Sequence, residues 1–253
     1  MNRPAFLTGN TSHSVKHNTP DEIISDAFDL ELAPYVVDRV DDAAAPPCAT
    51  FAPVRYEPRY AYPLVIWLHG PRGNEHQLRR VMPYVSDQNF VGIAPRGTCA
   101  DDDGLYDWQQ TREHVAAAEA RVFAAIELAE RRFHVNPDRV FLAGYGSGGT
   151  MALRVAWDNP HHFAGVAAIG GPIPAANRPF SRVNEIRCLP CLLAVARESD
   201  IYPEREFCRD LRLLHTAGCK VDLHYYRWGD ELNTETFQNL NRWLMTLVCG
   251  TPC

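Results

Sequence analysis

From Val140 to Gly149 the chain reads Val-Phe-Leu-Ala-Gly-Tyr-Gly-Ser-Gly-Gly. Four apolar residues followed by a glycine-rich stretch spell a strand, a tight turn and the start of a helix. A serine that attacks an ester is presented on such a bend, in the pattern G-x-S-x-G. Gly144 and Gly148 fill the two glycine positions, but the nucleophile position between them is Gly146, which has no side chain to attack with. Ser147 lies one residue too far along. Centring the bend on Ser147 instead puts Tyr145 where the turn wants a small residue.

The elements that would position this bend alternate. Leu64–Leu68 and Phe90–Ala94 are continuous apolar runs, as expected of strands covered on both faces. Val115, Ala118, Val122, Ile126, Ala129 and Phe133 fall at spacings of three and four and predict one long helix. Asn136-Pro137-Asp138 reads as a turn, and Val140–Ala143 as the strand into the bend. Thr150–Trp157 reads as a helix, Phe163–Ile169 and Leu189–Ala196 as strands. Pro203 opens a helix with the stripe Phe207, Leu211 and Leu214, which Gly218 ends. Val221–Tyr226 is the last strand, and Asn233 caps a final helix with the stripe Phe237, Leu240, Leu244 and Leu247. Earlier, Tyr35-Val36-Val37 and Thr50–Tyr56 read as strands, with a loop at Ala43–Pro47 between them. The alternation implies an α/β fold with a mostly parallel, doubly covered sheet. Ligands in such sheets bind at the carboxyl ends of the strands.

The bulk properties narrow the function. The 253 residues suit one α/β domain over 31–249, with a polar leader at 1–30 and a short tail at 250–253. Hydrophobic residues make up 46% of the chain, enough for a sizeable core, and the formal net charge of -6 argues against a nucleic-acid partner. No apolar run reaches the length of a membrane span, and the first residues lack the apolar core of a signal peptide, so a cytoplasmic protein is expected. Cys188 and Cys191 form C-x-x-C, but Cys191 leads into a strand rather than a helix, and the expectation is ordinary buried thiols without metal or redox use.

Several segments together resemble the α/β-hydrolases of the carboxylesterase, phospholipase and acyl-thioesterase group. They are Trp67-Leu68-His69-Gly70, Ala94-Pro95-Arg96-Gly97, the bend at Gly144–Gly149, Ser199-Asp200 and Gly229-Asp230-Glu231-Leu232, and the likeness runs from about Pro63 to Val248. The resemblance implies a Ser-Asp-His triad in that chain order. Its nucleophile position is Gly146, its acid position Asp200, and its base position Asp230. An aspartate titrates near pH 4 and has no second nitrogen with which to relay a proton. The oxyanion donors implied are the backbone N–H groups of Ser147 and of the residue after His69-Gly70. That residue is Pro71, which has no N–H. His69, Gly70, Tyr106, Trp108 and Tyr145 are expected to wall the pocket. The reading is therefore a degenerate triad on a non-catalytic pseudo-hydrolase that binds a small ester-like or acyl ligand or scaffolds a protein partner, with no cofactor.

The alternative is an active carboxylic-ester hydrolase that uses Ser147 in a rearranged site. It needs an imidazole, and His69, His76, His161, His162 and His224 all lie outside the segment before the last helix. Gly144-x-Gly146-x-x-Gly149 is also a literal dinucleotide fingerprint, but the next strand ends in Gly170-Gly171 with no acid for a ribose. If Asp200 and Asp230 converge, they repel or hold a cation; the simpler expectation is that both face water, as does Asp101-Asp102-Asp103.

Overall fold

The computed structural model describes residues 47–174, 182–227, 229 and 232–250. The leader, the early strand at 35–37, most of the loop before residue 48, Asp230 and the last three residues lie outside that range. In chain order the elements are β1 (Cys48–Phe51), β2 (Tyr62–Leu68), α1 (Gln77–Val85), β3 (Val91–Pro95), β4 (Cys99–Ala100), β5 (Tyr106–Asp107), α2 (Arg112–Arg132) and β6 (Val135–Tyr145). Then follow α3 (Ser147–Asp158), β7 (Gly165–Ile169), α4 (Val183–Ile186), β8 (Cys191–Ala196), α5 (Glu204–Thr216), β9 (Val221–Tyr226) and α6 (Thr234–Cys249).

Seven strands form one sheet in the order β1-β3-β2-β6-β7-β8-β9. Every neighbouring pair is parallel except β1 with β3. The central strand β2 is buried along its whole length, and its side chains divide by parity. Leu64, Ile66 and Leu68 enter the core under α2, α3 and α5, whereas Val65 and Trp67 enter the core under α1 and α6. This is why the run is apolar without alternation. Each such side chain contributes roughly 1.5–3 kcal/mol by leaving water. The sheet is thus doubly covered, and the parallel strands deliver their carboxyl ends to one edge.

Two helix ends follow their sequence signals closely. Gly218, at φ 74°, ends α5 with Gly218 N–H bonded to His215 C=O and Cys219 N–H to Leu214 C=O, both at 3.0 Å. These two bonds are a Schellman closure. Asn233 caps α6 by accepting from Thr236 N–H at 2.9 Å.

Two expectations need correction. The strand read at Thr50–Tyr56 lies earlier, at Cys48–Phe51, because Pro53 has no N–H with which to continue a ladder. The turn at Asn136–Asp138 interrupts a strand rather than preceding one. Val135 pairs with Tyr62 and Val140 with Leu64, so 136–139 bulge out of the ladder. Asp138 N–H donates to the Asn136 side chain at 2.9 Å and closes the excursion as an Asx-turn.

Candidate functional site

The bend between β6 and α3 has the backbone its sequence predicts. Gly146 stands at its apex with φ 54° and ψ −121°, a conformation that side chains strain to adopt. Its N–H bonds to Ile169 C=O at 2.8 Å and its C=O accepts from Thr150 N–H at 3.1 Å, so the apex is tied to β7 and to the first turn of α3. A Cβ at residue 146 would lie 2.8 Å from Pro71 Cδ. The proline ring therefore covers the position from which a serine side chain would leave the backbone. Two residues on, a Cβ at Gly148 would lie 2.3 Å from His69 O and 2.4 Å from Leu68 O. The start of α3 is seated directly on the end of β2.

Pro71 is held there by the turn that contains it. Gly73 N–H bonds to Gly70 C=O at 3.2 Å. Within the turn Arg72 takes φ 53°, rare for a residue other than glycine. Its guanidinium is pinned by Asp101 at 2.9 Å and Asp103 at 2.7 Å. Asp103 faces water, as expected of this acidic run, while both carboxylates also pair with the exposed Arg72 of the turn. Beneath it His69 is fully buried. Its Nδ1 lies 2.8 Å from Gly70 O and must donate, while its Nε2 accepts from Gly97 N–H at 2.9 Å. Burial pushes the imidazole below its ordinary value, against the opposing pull of the Gly70 carbonyl and of Glu75 and Asp107. His69 is therefore a neutral clamp between two loops with no free nitrogen. Trp108 Nε1 donates to His69 O at 3.0 Å, and Gln77 Oε1 accepts from both Trp67 Nε1 (2.9 Å) and Gly70 N–H (3.1 Å). Alongside, the buried Glu75 carboxylate takes a two-pronged bond from Arg96, at 2.5 and 2.9 Å. Burial raises the Glu75 pKa, but the Arg96 guanidinium outweighs it and leaves the group below the ordinary carboxylate value. Arg96 also lies over the Tyr106 ring, 4.8 Å from its centroid.

Ser147 gives its hydroxyl to a carboxylate rather than to an imidazole. Its Oγ donates to Asp107 Oδ1 at 2.5 Å, and the same oxygen accepts from Trp108 N–H at 2.7 Å. No imidazole among the described residues is bonded to Ser147. His114 Nδ1 meets Thr98 Oγ1 at 3.1 Å, His161 meets Glu185 at 3.1 Å, His76 lies 3.7 Å from Glu75, and His162 packs edge-on against Phe123. His224 stacks on Tyr226 within β9. Sequence reading missed Asp107. The only available signal was its place between Tyr106 and Trp108, since its bond spans forty positions of chain.

The other half of the strand-end edge is looser. Asp200, at the predicted acid position, is exposed, while its neighbour Ser199 is buried and accepts from Tyr202 N–H at 2.8 Å. Between the halves lies a cavity of about 20 Å³ bordered by Tyr145, Ile169, Ala194 and Tyr226. That volume suits about one water. Of the expected pocket walls, Tyr145 borders this cavity and covers Gly70, where a Cβ would come within 2.4 Å of its ring. His69 and Trp108 are buried in the packing below, and Tyr106 is half-buried against Arg96.

The thiols also depart from expectation. Cys48 and Cys191 are buried, but Cys188 and Cys249 are exposed, and all the described cysteines are free. Burial pushes the Cys48 thiol up to about 11 and Cys191 further in the same direction. Among the described residues no group of three His, Cys, Asp or Glu could hold a metal ion. None of the described helices is long and apolar enough to cross a membrane.

A family model described as “Putative esterase” matches residues 46–199. “Putative esterase NocK” of Nocardia uniformis subsp. tsuyamanensis is 28% identical over 116 residues, 45% of this chain. The match spans 34% of that protein, about a third of its length. A carboxylesterase from Mesorhizobium loti superposes with a TM-score of 0.67 at 17% identity, covering 84% of this chain and 98% of that one. Arabidopsis thaliana SOBER1 gives 0.62 at 17% identity over 74% of this chain and 100% of that one. A Bacillus cereus carboxylesterase gives 0.61 at 16% identity, covering 79% and 93%. At such identities the superpositions speak for the α/β-hydrolase fold alone.

Proposed function

The chain belongs to this esterase family, and we propose that it is a member that no longer hydrolyses esters and works as a binding or scaffolding protein. The observation that carries the reading is the pairing of Gly146 with Pro71. Hydrolysis of a carboxylic ester needs an attacking oxygen at the apex of the bend. Residue 146 offers none, and the Pro71 ring fills the space in front of it. Pro71 also lacks the N–H that would complete an oxyanion hole, a loss that typically costs about 10²–10³ in rate. The base position holds Asp230, whose residue type cannot relay a proton between nucleophile and leaving group.

One observation favours the second reading, an active carboxylic-ester hydrolase built on Ser147. Its hydroxyl already bonds a carboxylate at 2.5 Å. Serine activation in such sites uses an imidazole base rather than a carboxylate alone, however, and the bend presents residue 146 rather than 147 at its apex. Turnover of p-nitrophenyl acetate and butyrate by the purified protein, measured beside Ser147→Ala, separates the two. Equal background rates in both proteins are expected. Turnover that disappears in Ser147→Ala would establish the enzyme instead.

A further inference from the structure

The sheet ends at β9, which pairs with β8 on one side only among the described residues. Parity fixes which backbone groups that pairing uses. Cys191 N–H bonds to Lys220 C=O at 2.9 Å and Arg197 N–H to Tyr226 C=O at 2.8 Å. Even-numbered residues of this strand therefore turn their N–H and C=O toward β8. Val221, Leu223 and Tyr225 turn theirs to the open edge. The same three side chains lie on the α5 face, where Leu223 and Tyr225 stay 40% and 42% exposed. Natural edges are usually blunted by charged side chains, proline or a bulge; within Val221–Tyr226 there is neither proline nor bulge, and the one charged residue is Asp222.

We propose that this edge pairs with the same edge of a second copy, antiparallel, with Leu223 opposite Leu223 across the two-fold axis. The ladder restricts the register, because only odd residues have free groups and odd must face odd. Of the registers that remain, centring on Leu223 sets Val221 opposite Tyr225 and Asp222 opposite His224, each twice by symmetry. That is an aliphatic–aromatic pair and an acid–imidazole pair, the kinds that stabilise antiparallel neighbours. Sliding by one residue on each strand centres His224 on itself and sets Asp222 against Tyr226, which loses the complementary charges. Asp222 is already oriented, since one carboxylate oxygen accepts from Trp243 Nε1 at 2.8 Å and the other is left to meet an imidazole. His224 is likewise steadied by its stack on Tyr226. The result is an isologous contact that closes at two copies. It holds whether or not the bend can hydrolyse an ester, so the esterase assay does not bear on it.

Sedimentation equilibrium of the full chain tests association, and Leu223→Lys tests the edge. Leu223 is exposed, so the variant is expected to fold and to keep its circular dichroism. A dimer is expected at about 100 µM, with the dissociation constant rising at least about tenfold in Leu223→Lys. Register is tested with cysteines in a background where exposed Cys188 and Cys249 are serine. Residues directly opposite in a hydrogen-bonded antiparallel pair stand about 5.5 Å apart, within disulfide reach. Leu223→Cys should cross-link to itself on mild oxidation, mapped by peptide mass, and His224→Cys should not. A wild-type monomer overturns the proposal and leaves the edge to an extended segment of another protein. So does a dimer that Leu223→Lys leaves intact, or a cross-link through His224→Cys in place of Leu223→Cys.

Discussion

The carboxyl edge of the sheet has two halves, and they are built differently. The loops after β2, β3 and β6 interlock. Buried His69 ties Gly70 to Gly97, Glu75 grips Arg96, Ser147 is bonded to Asp107, and Pro71 sits on Gly146. The segment after β8 leaves Asp200 exposed. In a working hydrolase of this fold the first half supplies the nucleophile and the oxyanion donors, and the second supplies the acid and the base. On the reading we propose, the first half keeps its frame while its chemical groups are exchanged. On that reading the second half keeps an acid residue, Asp200, which stands exposed. A frame can outlast its chemistry because the two rest on different atoms. The frame is backbone and buried polar bonds; the chemistry is a few side chains at the surface of that frame.

The contrast predicts a gradient of sensitivity across the edge. Gly148→Ala should be the most damaging change, because the added carbon meets the backbone oxygens of Leu68 and His69 at 2.4 and 2.3 Å, and those belong to the end of the central strand. Thermal or urea unfolding should register a loss of about 4 kcal/mol, at the upper end for overpacking. A loss under about 1 kcal/mol would mean the two segments are not interlocked.

Gly146→Ser should come next, at about 3 kcal/mol from backbone strain together with the contact at Pro71. Pro71→Gly in the same chain should recover about 1–2 kcal/mol of it, a coupling that only touching residues show. Additive losses in the double-mutant cycle would break the link between proline and glycine. The same coupling explains an expectation for restored chemistry. Gly146→Ser with Asp230→His should gain ester turnover only when Pro71 is replaced as well.

His69 gives a smaller effect with a direction. Burial holds its folded pKa below the ordinary 6.5, so below that pH the unfolded chain binds a proton that the folded chain resists. The neutral clamp thus contributes fully above about pH 6.5 and is progressively lost as pH falls below it. Stability should decline on acidification from pH 7 to 5 with a slope of up to about 1.4 kcal/mol per pH unit from this one group. His69→Gln should be less stable at pH 7 and show a shallower slope, which chemical denaturation at several pH values will measure. Asp200→Asn, in the other half, should shift stability by no more than about 0.5 kcal/mol.

Much of this was legible in the sequence, for a local reason. The runs at Leu64–Leu68 and Val221–Tyr226, the stop at Gly218 and the cap at Asn233 each depend on residues a few positions apart. The apex at Gly146 was legible too, because strand, glycines and helix start are contiguous. What could not be read were contacts between distant segments. Nothing in the order of residues says that Pro71 lies on Gly146, or that Asp107 reaches Ser147. The acidic run at 101–103 is exposed at Asp102 and Asp103, as its composition suggests, but its pairing with Arg72 could not be read, because Arg72 lies some thirty positions away in a turn whose shape the sequence does not announce. His69 read as a pocket wall because a histidine at a strand end carries no mark of how deeply it is buried.

The central claim is that the bend carries no attacking oxygen. Labelling the full-length protein with a fluorophosphonate probe and mapping the adduct by peptide mass tests it most directly. No stoichiometric adduct at Ser147 is expected. One equivalent of probe on Ser147 Oγ, abolished in Ser147→Ala, would contradict the account.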